Sequence, residues 1–123
     1  MRGENIRDRT QRLALNVLDI ASEIPRDYSS QVLARQVTRS ATSVGANYRA
    51  ACRSKSGRDF LNKLKIVEEE LDETMFWLEL IAARKLALPE KLAPLIAESN
   101  ELLAIIVKSI VTVKENEKAK AKE

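Results

Sequence analysis

Two kinds of side chain in this sequence are spaced so that they could do chemistry. Arg35, Arg39, Arg49 and Arg53 fall within about 80° of one another at 100° per residue on a helix, with Thr42 and Ala46 between them. A guanidinium is a planar fork that fits phosphate oxygens, so this stripe, with Lys55 and Arg58 beyond it, is a candidate nucleic-acid surface. Glu69, Glu70 and Glu73 are spaced to share a helix face, as are Glu98 and Glu101, and hard carboxylate oxygens suit Mg²⁺. Three readings of the arginines stay open: phosphate binding, pairing with Glu69 and Glu73 within the chain or across a subunit contact, and simple solvation. Histidine is absent, which removes the usual general base, the serine triad and the Glu-x-x-His di-iron motif of many helical bundles. Cys52 is the only cysteine, so no internal disulfide and no cysteine-based zinc site can form, and it reads as a small residue at the edge of a core. Tyr28 and Tyr48 are the only tyrosines, too few for base-stacking platforms, so sequence-specific base reading is not expected. No catalytic residue, metal or cofactor is expected.

The elements that must hold these residues are helices. Ile6, Leu13, Val17, Ile20 and Ile24 fall on one stripe, predicting a first helix over about residues 4–24, ended by Pro25, whose ring cannot continue the hydrogen-bond ladder. A second helix over about 30–53, capped by Ser29 or Ser30, has the seam Leu33, Val37, Ala41, Val44, Tyr48 and Ala51. Ala41, Gly45 and Ala46 should let another helix approach closely, and a glycine in a helix interior, roughly 1 kcal/mol worse than alanine, suggests a packing reason. Ser54 to Gly57 is the next break, and Ser56 with Asp59 three residues on forms a capping box for a helix over about 57–86. Phe60, Leu64, Val67, Leu71, Thr74, Leu78 and Ala82 turn inward there. Leu88-Pro89 opens a fourth helix over about 90–115, with Leu92, Ile96, Leu103, Ile106, Ile110 and Val113 as its seam and Leu95 and Leu102 beside it. Residues 116–123 form a charged tail, a frayed helix end or a disordered segment. Short connections make neighbouring helices antiparallel, so the expected fold is an all-α, up-down-up-down four-helix bundle in one domain.

Beyond that bundle, the third helix is apolar on nearly every side from Met75 to Ala83. Ile66, Phe76, Trp77 and Leu80 cannot all reach the core that Phe60 faces, and Leu15 and Leu18 fall outside the seam of the first helix. These six residues are the expected oligomer interface. Positive charge is unevenly placed: residues 1–58 carry 11 Lys and Arg against 5 Asp and Glu, whereas residues 59–123 carry 10 against 13. Charge interrupts every long apolar stretch, so no membrane span is expected, and Met1 to Asn5 lacks the apolar core of a signal peptide. The cytoplasm is the expected location.

The stretches Gln36 to Arg49, Arg53 to Phe60 and Lys65 to Leu80 resemble the family of 23S rRNA intervening-sequence four-helix-bundle proteins. The resemblance covers nearly the whole chain and is most specific in the two middle helices. It implies a homopentameric, basic, non-enzymatic four-helix bundle, with Arg39, Asn47, Arg49, Glu70 and Glu73 matching the family pattern and Ala50 standing where relatives often carry glutamate. The fold is also similar to the accessory variability determinant of diversity-generating retroelements, which implies RNA or DNA and a reverse transcriptase as partners. A non-enzymatic nucleic-acid-binding accessory protein is the expected function, with a protein-interaction scaffold as the alternative. The spacing of Glu69, Glu70 and Glu73 with Glu98 and Glu101 loosely resembles that of Mg²⁺-dependent all-α nucleoside triphosphate pyrophosphohydrolases, whose pattern ends in aspartate where this chain has Glu101.

Overall fold

The computed structural model describes the backbone of residues 2–122 and the side chains of residues 5–122. Met1 and Glu123, at the ends of the stretches read above for a signal peptide and a charged tail, lie outside the described residues. Four helices, α1 (Arg2–Glu23), α2 (Tyr28–Cys52), α3 (Gly57–Ala83) and α4 (Pro89–Ala121), make up the chain, and no strand occurs among the described residues. Helices adjacent in sequence pack against each other, and α1 closes the bundle against α4 along its thinnest seam.

The core is the apolar stripe of each helix. Leu13, Val17, Val37, Val44, Leu64, Val67, Leu71, Leu78, Leu102 and Ile106 are almost wholly excluded from solvent. At about 1.5–3 kcal/mol for each large apolar side chain moved out of water, this stripe is the main force holding the bundle together. Leu33, Phe60, Ala82, Ile96, Leu103 and Val113 are half-buried at its margin. On α4 the register differs from the sequence reading, because Leu95 and Leu102 lie in the core while Ile96 and Leu103 sit at its edge. The buried face of α4 is therefore Leu92, Leu95, Ser99, Leu102, Ile106 and Ile110, turned toward the small side chain of Ser99.

The helix ends correct three boundaries. Asp27, not Ser29 or Ser30, caps α2: its carboxylate accepts from the backbone N–H of Ser30 at 3.2 Å, and the Ser29 hydroxyl donates to the same oxygen. Hydrogen bonding from Ser30, its side chain first and its backbone second, with Ser29 adding less, holds the Asp27 carboxyl below its ordinary pKa. At α3, Ser56 accepts from the Asp59 N–H at 3.1 Å, the serine half of a capping box.

The end of α3 comes at Ala83 rather than near residue 86. Lys85 takes a left-handed conformation (φ 57°), the Leu86 N–H reaches back to the Ile81 carbonyl at 3.0 Å, and the Lys85 N–H reaches Ala82 at 3.0 Å. This is a Schellman stop with lysine in the place usually held by glycine.

Helix α4 continues through Ala121, past the expected end near residue 115. Lys, Glu and Ala are good helix formers, and Lys114 and Glu117 are spaced to pair along the helix. The Glu117 carboxylate also rests where a side chain at Gly57 would stand, so the glycine leaves room for the end of α4 to lie on the first turn of α3. A negative charge there faces the positive end of the α3 dipole. No helix among the described residues is long and apolar enough to cross a membrane.

Candidate functional site

Arg39 does not offer a free fork. Its Nη1 donates to both Glu70 oxygens at 3.2 and 3.3 Å, its Nη2 donates to Glu73 at 2.5 Å, and its Nε donates to Gln36. The arginine and both glutamates thus form one network across the α2–α3 seam, within one chain. Beneath it the Thr74 hydroxyl donates to Ser40 at 2.9 Å and lies 2.7 Å from the Glu70 carbonyl, so the seam carries buried polar contacts as well as apolar ones. Glu69, the other expected partner, is exposed and holds no ion pair among the described residues. Asn47 stands apart from this network and donates to the carbonyl and hydroxyl of Ser43, one turn back on its own helix.

The second acidic pair is also occupied. Arg9 on α1 makes a two-pronged contact with Glu98, Nε at 2.8 Å and Nη2 at 2.6 Å, and reaches Glu101 at 3.2 Å. The hydrogen bonds of Glu98 hold the Arg9 proton well above the ordinary guanidinium range. Glu70 and Glu73 therefore face α2, whereas Glu98 and Glu101 face α1, and each pair is bridged by a single arginine. The described residues contain no group of three or more acidic or cysteine side chains placed to hold a metal ion.

Sequence reasoning missed Arg9. The signal was its place one turn from both Ile6 and Leu13: a cation on the flank of a buried stripe needs a carboxylate from the neighbouring helix.

Arg35, Arg49, Arg53, Lys55 and Arg58 are all exposed, and none holds an ion pair among the described residues. Four of them surround the turn from α2 into α3. Arg49 also lines a cleft of about 250 Å³ between α1 and α2, together with Arg7, Gln11, Ala14, Thr42, Gly45 and Ala46. At its floor the two backbones come close: a methyl added to Gly45 would sit 3.5 Å from the Thr10 carbonyl oxygen. Arg7 and Gln11 were not singled out in the sequence, although Arg7, Gln11 and Ala14 recur at helical spacing on the flank of α1.

Near the cleft, Tyr48 is buried, and burial pushes its phenol up to about 12, with Cys52 adding and Arg7 opposing. Cys52 itself is exposed, not tucked into a core edge, because it falls on the last turn of α2 beyond the packed stripe.

On the outside of the bundle Leu15 (54% exposed), Leu18, Ile66 and Phe76 (51%) face solvent in the single chain. Leu80 is half-buried, and Trp77 packs against the core with its ring edge-to-face on Phe76 at 5.0 Å. The Trp77 Nε1 is buried without a hydrogen-bond partner among the described residues. Val107 and Val111 on α4 are exposed too, an apolar face that sequence reasoning passed over.

A family model described as 23S rRNA-intervening sequence protein matches residues 4–108. The chain belongs to that family. A solved member of the related description, a protein of unknown function from the S23 ribosomal protein family of Bacteroides thetaiotaomicron VPI-5482, is similar in structure, with a TM-score of 0.81 and 29% sequence identity over 89% of this chain and 98% of that one. No curated protein matches the sequence. Within this intervening-sequence family chain, the matched region takes in all of α2 and α3, with the Arg39–Glu70–Glu73 network, and ends inside α4 before the charged final turns.

Proposed function

We propose that this protein is a non-enzymatic nucleic-acid-binding accessory protein of the cytoplasm, assembled as a homo-oligomer, with a pentamer as the favoured ring. One observation carries the binding half: Arg49, Arg53, Lys55 and Arg58 are exposed around the α2–α3 turn without carboxylate partners among the described residues, while Arg9 is paired with Glu98 and Arg39 with Glu70 and Glu73. Cations left unpaired on a bundle face, with few aromatic rings beside them, suit a phosphate backbone rather than base edges. Arg39 drops out of the phosphate-binding set and becomes a structural partner of α3. The assembly half rests on the apolar outer faces, where Leu15, Leu18, Ile66 and Phe76 are exposed in a single chain.

The test is salt-dependent binding to single-stranded RNA and DNA, by fluorescence anisotropy. Four phosphate contacts correspond to a log–log salt slope of about −3 for single strands. Changing Arg49, Arg53, Lys55 and Arg58 together to glutamine is expected to abolish binding, whereas Arg39→Gln weakens stability and leaves the slope in place. Undiminished binding by the fourfold variant would overturn the reading.

A further inference from the structure

The cleft between α1 and α2 differs from the two paired arginine sites, those of Arg9 and Arg39. Arg9 and Arg39 are met by carboxylates, but Arg7 and Arg49 stand on opposite walls of a cavity of about 250 Å³ that no aspartate or glutamate lines among the described residues. Ala14, Gly45 and Ala46, which also line it, project no long side chain, so no bulky group fills the space between the two helices. The Gln11 amide on the rim has no hydrogen-bond partner among the described residues, while the Thr42 hydroxyl is already spent on the Thr38 carbonyl at 2.7 Å. We infer that this cleft seats a terminal phosphate monoester, carried by a mononucleotide or by the end of an RNA or DNA strand.

Charge decides between a terminal and an internal phosphate. A monoester carries between one and two negative charges near neutral pH and three acceptor oxygens. Two of those oxygens accept from the arginines and the third from the Gln11 amide, and the doubly charged form matches the two cations. An internal phosphodiester carries one charge and two free oxygens, and it leaves one guanidinium uncompensated. The inference rests on the phosphate-binding reading of this face and narrows it to one group in one place.

Single-stranded RNA oligomers of one sequence, with a 5′-phosphate, a 3′-phosphate or hydroxyls at both ends, distinguish the possibilities, alongside AMP and orthophosphate measured by calorimetry. A phosphorylated end is expected to bind at least about tenfold more tightly than the all-hydroxyl strand, the loss associated with one charge-assisted contact. Arg7→Gln and Ala46→Glu, both at exposed positions, remove that advantage and weaken AMP by a similar factor. Arg53→Gln weakens all three strands and leaves the advantage intact.

Equal binding of all three strands overturns the seat while the polyanion reading stands. If no strand binds but AMP does, and Arg7→Gln abolishes it, the seat stands and the polymer reading falls. Failure of AMP, orthophosphate and phosphorylated ends alike overturns the seat.

Discussion

Gly45 is the clearest case of one residue setting how two helices meet. The backbone of α1 passes over it at Thr10 and Gln11, yet an added methyl would lie 3.5 Å from the nearest atom, an ordinary contact. Alanine therefore fits, and it removes the conformational freedom that glycine carries in the unfolded chain. Gly45→Ala is expected to stabilise the protein by up to ~1 kcal/mol in chemical denaturation, whereas Gly45→Leu has no room and lowers stability by driving α1 away. The sequence suggested a packing reason for this glycine, but the space around it accepts a methyl group, so close packing of α1 does not require glycine here. Which cations are free was not legible at this scale. Arg39 and Arg49 are alike in spacing and type, and only the carboxylates that face Arg39 across the α2–α3 seam tell them apart.

Among the elements, α3 shows why helix starts were easier to read than helix ends. Ser56 and Asp27 have acceptor side chains at the N-termini of α3 and α2, a direct chemical signal, although at α2 the nearby Ser29 and Ser30 drew the sequence reading away from Asp27. The stop at Ala83 has no such signal, because Lys85 adopts φ 57° where glycine is the usual marker. A side chain in that conformation costs about 1–2 kcal/mol. Lys85→Gly is thus expected to raise stability by ~1 kcal/mol by relieving the strain, against the entropy glycine brings to the unfolded chain. Thermal melting of the variant beside wild type checks it, and an unchanged or lowered midpoint contradicts it. The same absence of a stop residue explains α4: nothing between Lys114 and Lys120 breaks a helix, so it continues until Ala121.

For the whole molecule, the number of helices, their order and most of the buried stripe follow from apolar spacing at 3.6 residues per turn. The faces left over carry the functional question. Phe76 is half-exposed on a helix whose opposite side is fully buried, so replacing it costs the isolated bundle little. Phe76→Asp is expected to leave the helical circular dichroism unchanged and to shift sedimentation from an oligomer to a single chain. A variant that still sediments with wild type contradicts the proposed contact at Phe76. The exposed Val107 and Val111 were missed because α4 looked saturated by its own seam, and only the observed register separates its inner leucines from its outer face.

Trp77 is the only tryptophan in the chain, and it lies edge-on to Phe76 on that outer side of α3. Its indole is consequently a built-in optical reporter: intrinsic emission read at rising protein concentration follows the wetting or drying of this surface directly, with no dye attached and no label to perturb the contact.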